Sequence, residues 1–470
     1  MTKPLSLLAT GALCALSASA CVVGPKYVKP ATPVPETYRG AESAPATAAI
    51  ADANWWDVFE DEQLKTLLHT ALAQNDDLKI AAARVLEARA VLGETRADQY
   101  PTVGVGAAAG GGRVAAVRTT PAQTAGALRV GGTVDWALDF WGRYRRATEA
   151  ARAELLATEW GRRAVTSAVI ADVANAYFEL RALDLQMEVA QRTLKSRNES
   201  LALTRVREAG GATSLLDVRE AEQLVFGAKA AIVDLDRRIA QEENALSLLL
   251  GNLPAPIARG LALVDQPHAP DVPAGLPSSL LERRPEVQAA EQEIIAANAQ
   301  VGVARSAYFP SISLTGAGGL QSTALGALFA SGAGYWSAIV SVAQPVFTAG
   351  RTRSQVAFAQ ARVDEATALY AQAVKRAFRE ASDALVGYAK AREFRVQQEG
   401  LTTAAQDARR LADIRYQGGA TSYLEVLDAD TRLFVAELQL AEARQAELSS
   451  FVEVYRALGG GWQQEGRPTN

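Results

Sequence analysis

The sequence predicts a mostly α-helical protein with a transmembrane β part. It reads as a duplicated half that supplies four β-strands per chain and long coiled-coil helices. Three observations carry that fold class. The pentapeptide Gly-Gly-Ala-Thr-Ser occupies 210–214 and returns at 418–422, 208 residues on (210 to 418). The intervals 143–253 and 346–467 contain no proline and are rich in Ala, Leu, Glu, Gln and Arg, all good helix formers. From Ser306 to Gly350 there is no Asp, Glu, Lys or Arg, yet no run of 18 apolar residues that would make a spanning helix.

The chain opens with a targeting segment. Residues 1–20 read as a signal peptide: Lys3, the apolar run Leu5 to Leu16, then the small residues Ser17-Ala18-Ser19-Ala20. Small residues directly before Cys21 resemble the bacterial lipoprotein signal, in which the cysteine becomes the acylated (palmitate-class) mature N-terminus. The alternative is an ordinary cut after Ala20 that leaves a free thiol. Val22 rather than Asp after the cysteine implies, by the same resemblance, the outer membrane. Residues 21–60 are then a lipid-anchored N-terminal segment.

The repeat sets the rest of the order. Shifted by 208 or 209, Gly93, Arg96 and Pro101 meet Gly302, Arg305 and Pro310. Gly142-Arg143 meet Gly350-Arg351, and Leu250-Gly251 meet Leu458-Gly459. The first repeat is taken as 61–251 and the second as 284–459, joined by a Pro-rich segment 252–283 and followed by a tail 460–470. Each half starts with a helix that ends before a proline, Asp77 to about Gln99 and Glu286 to about Tyr308.

A β-hairpin follows in each half, over about 102–140 and about 310–347. Val134, Trp136, Leu138 and Phe140 interleave with Thr133, Asp135, Ala137 and Asp139. Trp336, Ala338, Val340 and Val342 interleave with Ser337, Ile339 and Ser341. Period two with one apolar face marks a transmembrane β-strand. A soluble hairpin would explain the alternation but not the charge-free stretch. Four strands cannot close a barrel, and lipid tolerates no open edge. The barrel must be shared among copies: two give eight strands and a filled interior, three give twelve and a lumen. The pattern alone does not choose.

Two long helices complete each half. Val169, Val173, Ala176, Leu180, Leu183, Met187, Ala190 and Leu194 alternate spacings of four and three, as do Val218, Ala221, Val225, Ala228, Ile232, Leu235 and Ile239. That is a coiled-coil seam. A helix from Arg143 to Arg207 would reach about 100 Å at about 1.5 Å per residue. The pentapeptide is the break between helices. Gly210 and Gly418 are expected to take the left-handed conformation that ends a helix. Ser214 and Ser422 are expected to cap the next one, through a capping box Ser422-x-x-Glu425 and a shorter variant Ser214-x-x-Asp217.

By these residues the chain resembles the TolC family of outer membrane factors, in its lipoprotein branch that serves resistance-nodulation-division pumps. Gly24-Pro25-Lys26-Tyr27-Val28-Lys29-Pro30 is similar to the branch's lead-in, and Trp55-Trp56-Asp57-Val58-Phe59 to the start of its first helix. Leu138-Asp139-Phe140-Trp141-Gly142-Arg143 resembles its strand-to-helix junction. Arg415-Tyr416-Gln417-Gly418-Gly419 with Ser422 to Ala429 resembles its second periplasmic turn. The resemblance implies a homotrimer with a 12-stranded β-barrel in outer-membrane lipid and a periplasmic α-helical tunnel. It implies a periplasmic membrane fusion (adaptor) protein and an inner-membrane resistance-nodulation-division transporter as partners. The function implied is passive efflux of small molecules such as drugs. The alternatives are an exit duct for type I protein secretion and a periplasm-spanning structural lipoprotein without a pore.

The same resemblance places the periplasmic gate at Leu424, Glu425 and Asp428, with Asp217 and Glu220 as first-repeat counterparts. The helix-hairpin tip that meets the adaptor would be Gly210, Gly211, Ser214, Tyr416, Gly418, Gly419 and Ser422. Some relatives carry a latching Arg where this chain has Thr421. Little else suggests chemistry. The formal net charge of −4 argues against nucleic acid. Two His, at 69 and 268, and two Cys leave little for metal or thiol work, and no catalytic motif or cofactor signature is present.

Overall fold

The structure is a computed structural model that describes residues 22–39, 53–116, 123–267 and 277–462. Cys21, His268 and the end of the tail lie outside the described residues. In chain order the helices are α1 (Trp55–Val58), α2 (Glu62–Gln74), α3 (Asp76–Ala97), α4 (Arg143–Ala209), α5 (Leu215–Leu249), α6 (Pro277–Arg283), α7 (Pro285–Ser306), α8 (Arg351–Gln417) and α9 (Tyr423–Ala457). The strands are β1 (Thr102–Val114), β2 (Gln123–Leu138), β3 (Ser311–Ser322) and β4 (Gly334–Ala343). The duplication is exact in the long helices. α4 and α8 both have 67 residues, α5 and α9 both have 35.

The chain forms two compact units. The first comprises 1–31, 84–159 and 289–371 and holds the sheet. Its four strands are antiparallel in the order β1-β2-β3-β4. Register puts Val103 beside Val134, Val134 beside Gly316, and Gly316 beside Ala338. The neighbouring rows run Trp136–Leu314–Val340 and Leu138–Ile312–Val342. Along these rows one face is apolar across all four strands, with Arg113 on it only at the hairpin end, and Val105, Trp336, Val340 and Val342 stand exposed on it. The other face carries Thr133, Asp135, Ser313, Thr315, Ser337 and Ser341 among many Gly and Ala. The hairpin of the first half falls within the expected 102–140, with β1 reaching Val114 and β2 starting at Gln123. β4 stops at Ala343, short of the expected 347, because Pro345 cannot donate to a ladder.

The junction between β2 and α4 is pinned by aromatics. The Trp141 indole stacks on Phe309 at 4.8 Å and donates to the Pro310 carbonyl at 2.7 Å. Asp139 accepts from the Arg145 backbone N–H at 2.9 Å, which fixes the first turn of α4.

The second unit comprises 32–83, 160–288 and 372–470. Its main core joins Trp55, Phe59, Leu64 and Leu68 to Val169, Val173, Tyr177 and Leu180 of α4, Leu246 of α5, and Val452 and Tyr455 of α9. The coiled-coil seam is the buried stripe: Val173, Leu180 and Ala190 are fully buried, as are Ala221 and Ala228. His69, on the exposed side of α2, packs edge-on against the buried Trp55 at 4.9 Å.

Asp61 is the polar centre of this unit. It is buried, and its carboxylate caps α2 by accepting from the N–H groups of Gln63 and Leu64. The same group accepts from the Tyr177 hydroxyl at 2.8 Å, the Leu261 N–H at 3.0 Å and the Gln266 amide at 2.8 Å. Burial pushes its pKa up, but these donors outweigh it and hold the carboxyl below the usual range. Asp61→Asn replaces an acceptor by a donor facing donors, and should cost about 3 kcal/mol in chemical denaturation of the detergent-solubilised protein. Because the folded pKa is depressed, this stabilisation is complete above the unfolded carboxyl value of about 4 and is lost as pH falls through the folded one. The wild type should therefore weaken in acid along that limb, and Asp61→Asn should flatten it.

Candidate functional site

The candidate site is built by the two helix breaks, both in the second unit. α4 ends in a Schellman motif: the Ala212 N–H donates to the Arg207 carbonyl and the Gly211 N–H to the Glu208 carbonyl. α8 ends identically, with Ala420 donating to Arg415 and Gly419 to Tyr416. The left-handed residue is the second glycine of each pair, Gly211 at φ 70° and Gly419 at φ 73°, not Gly210 and Gly418 as the sequence suggested. The first glycine still takes the helix's last ordinary bond, Gly210 to Val206 and Gly418 to Ile414. Helicity thus extends one residue further before the chain reverses.

The two caps also depart from expectation. Ser214 and Asp217 form a full reciprocal capping box. Ser422 makes no side-chain cap, and Glu425 does not close the box from its side. The longer Glu425 side chain instead accepts from the Thr421 hydroxyl and pairs with Arg415 at 3.5 Å. The Thr213 hydroxyl and the Ser214 N–H hold the Asp217 carboxyl below its usual range.

Below the turns, the hairpins share a small core of Leu201, Val218, Ala221, Val225, Ala412, Tyr423, Val426 and Leu427. Tyr416 and Tyr423 lie 5.2 Å apart between ring centres, and the Arg207 guanidinium sits 4.9 Å above Tyr416. The α9 residues that face away from this core are Leu424, 60% exposed, and Asp428. Asp428 pairs with Arg432 one turn on, at 3.0 Å. Glu220 is half-buried on α5. Leu424, Glu425 and Asp428 thus share the exposed side of one helix. Asp217 and Glu220 stand on α5, with Asp217 consumed by its cap.

Sequence reasoning missed a buried ionic knot just behind the turns. Asp430 of α9 accepts from Arg197 of α4 at 2.8 Å and from Arg409 of α8 at 3.3 Å. Arg197, 5% exposed, also donates to the Leu224 carbonyl of α5 at 2.9 Å and lies 4.8 Å over the Phe434 ring. The Asp430 carboxylate thus links α9 to α4 and α8, and Arg197 extends the link to α5. The one signal in the sequence is an Asp three residues after the seam position Leu427, where the coiled coil calls for an apolar side chain.

The model of the family described as outer membrane efflux protein matches this chain twice, over residues 67–252 and 276–460. The toluene efflux pump outer membrane protein TtgC of Pseudomonas putida is 37% identical, over 99% of this chain and 97% of its own. The cation efflux system protein CusC of Escherichia coli is 35% identical, over 96% of this chain and 98% of its own. Among solved structures, the open state of the MtrE outer membrane channel of Neisseria gonorrhoeae superposes with a TM-score of 0.87 at 32% identity, covering 95% of this chain and all of that one.

Asp430→Asn leaves Arg197 buried with no counter-charge. It should cost about 3 kcal/mol and speed hydrogen exchange around 197, 224 and 409, while exchange near Asp61 stays unchanged. A double-mutant cycle with Arg197→Met should return part of that loss.

Proposed function

The chain belongs to the outer membrane efflux protein family, and on that premise we propose that it is the exit duct of a tripartite efflux pump. In this reading three copies close a 12-stranded barrel in the outer membrane and their long helices form a periplasmic tunnel. A periplasmic adaptor protein and an inner-membrane resistance-nodulation-division transporter deliver small molecules to it. The observation that carries the reading is the sheet: four strands with one apolar and one polar face, and outer edges of β1 and β4 that no other strand pairs among the described residues. Lipid demands that those edges be paired, and other copies of the same chain supply complementary edges. β4, with ten residues, is about 33 Å long and covers about 25 Å of membrane at the tilt usual for such barrels.

Transport through the duct is passive, with energy supplied by the partners. Relatives are named for toluene and for cation efflux, so substrate choice is assigned to the pump. The gate is assigned to the exposed side of α9, where three copies of Leu424 and Asp428 would ring a narrow opening, with Glu425, Asp217 and Glu220 beside it. Like charges in such a ring repel one another and favour cations at the entrance.

The lipid anchor has support in the first unit. The Val23 N–H donates to the Trp141 carbonyl at 3.0 Å, and the Asn298 amide donates to the Pro25 carbonyl at 3.1 Å. A Cβ on Gly24 would come within 2.6 Å of Gly302, so the lead-in lies flat against α7. The residues next to Cys21 are thereby held at the strand-to-helix junction, where an acyl chain would enter the same leaflet that the barrel meets.

Two measurements test this. In planar bilayers the purified full chain should open rarely, and Leu424→Ala with Asp428→Ala should raise the open fraction at least severalfold; absence of any channel in both would overturn the duct. By mass spectrometry the membrane-extracted protein should carry an acylated N-terminal cysteine, and Cys21→Ser should lack that mass while still forming trimers.

A further inference from the structure

The polar face of the sheet holds two charges among the described residues, and they lie at opposite ends. Asp135 sits near the helix end of the sheet, beside Thr102 and Thr315. Arg129 lies six residues earlier on β2, beside Ala108 and Gln321, toward the hairpin turns. That separation is about 20 Å at about 3.3 Å per residue. Between and around them the same face carries the small residues Gly131, Thr133, Ala317, Gly319 and Ser337, with Tyr335 and Ile339 as larger side chains. Neither charge is in an ion pair within the described residues.

Arg129 is positioned rather than loose. Its Nε and Nη2 both donate to the Gln321 side-chain oxygen, at 3.1 and 2.8 Å. Its guanidinium lies 5.3 Å from the centre of the Tyr335 ring, a cation–π contact. Gly131 makes room for that ring: a Cβ there would come within 2.9 Å of the Tyr335 hydroxyl. Three strands therefore cooperate to hold one uncompensated positive charge above a surface of mostly small residues. A neutral amide and an aromatic face fix the guanidinium without cancelling its charge.

We propose that Arg129, held by Gln321 and Tyr335, is a specificity-determining residue at the outer end of the duct. Its three copies form a positive exit ring that opposes the negative ring of Asp135 deeper in the barrel. This rests on the duct reading, because it needs the polar face to line a lumen. Cations concentrated by the acidic entrance and by Asp135 meet a repulsive field at the exit, while anions leaving with them are favoured there. The outer end thus sets the ion preference of outward flow and limits back-entry of small cations from outside.

The test uses the assembled full-length chain in planar bilayers, with Leu424→Ala and Asp428→Ala to open the tip. The readout is the reversal potential under a KCl gradient. Arg129→Gln should raise the cation-to-anion permeability ratio roughly threefold. Arg129→Glu should raise it further, Arg129→Lys should leave it near the parent value, and Asp135→Asn should lower it. An unchanged ratio in both Arg129→Gln and Arg129→Glu, in channels that conduct, overturns the exit assignment alone. No conductance in the parent overturns the duct reading instead. Should the Glu variant not assemble, Arg129→Cys carries the test. A cationic thiol reagent added at the hairpin side should return the parent ratio and an anionic one should raise the ratio further; no response to either overturns the assignment.

Discussion

Everything in this chain answers to two unpaired strand edges. Among the described residues, β1 and β4 each present a row of backbone N–H and C=O groups that no other strand pairs. In hydrocarbon each such group left bare costs several kcal/mol, more than a chain of ordinary stability can absorb many times over. A single copy is therefore not a viable membrane structure. The apolar face makes lipid the right solvent, and the edges make a lone chain impossible in it. In the proposed closure by further copies, the polar face becomes a lumen lining.

Much of this was legible in the sequence. The period-two alternation around Trp136 and Trp336 marked the sheet faces, and the repeated pentapeptide marked the helix breaks within a residue or two. The seam residues Val173, Leu180, Ala221 and Ala228 were readable because burial at a spacing of three and four leaves few alternatives. What escaped depended on rotamers and distance. Whether Ser422 or Thr421 engages Glu425 turns on one methylene of side-chain reach, which no pattern reports. Which glycine turns left-handed depends on where the last helical bond falls. The Arg197–Asp430 pair joins residues 233 positions apart, and only the packing of four helices brings them together.

The interior uses charge sparingly and with a common logic. Asp61 is stabilised by five donors and no cation among those contacts, so it acts as a structural anion that gathers α2, α4 and the segment near Leu261. Asp430 instead lies between two guanidinium groups and links α9 to α4 and α8 near their breaks. The second joins helices in the region whose mobility the proposed gate would require.

The exact match of helix lengths in the two halves has a consequence for recognition. In the proposed trimer, three chains would offer six backbone reversals of the same shape, because Gly211 and Gly419 end helices of equal length in the same motif. Their side chains break that equivalence, since Asp217 is locked in its cap while Glu425 is not. In that trimer a partner that grips only the main chain would meet a sixfold ring of seats, and one that reads carboxylates a threefold ring. Symmetry itself would then let one surface address two kinds of partner.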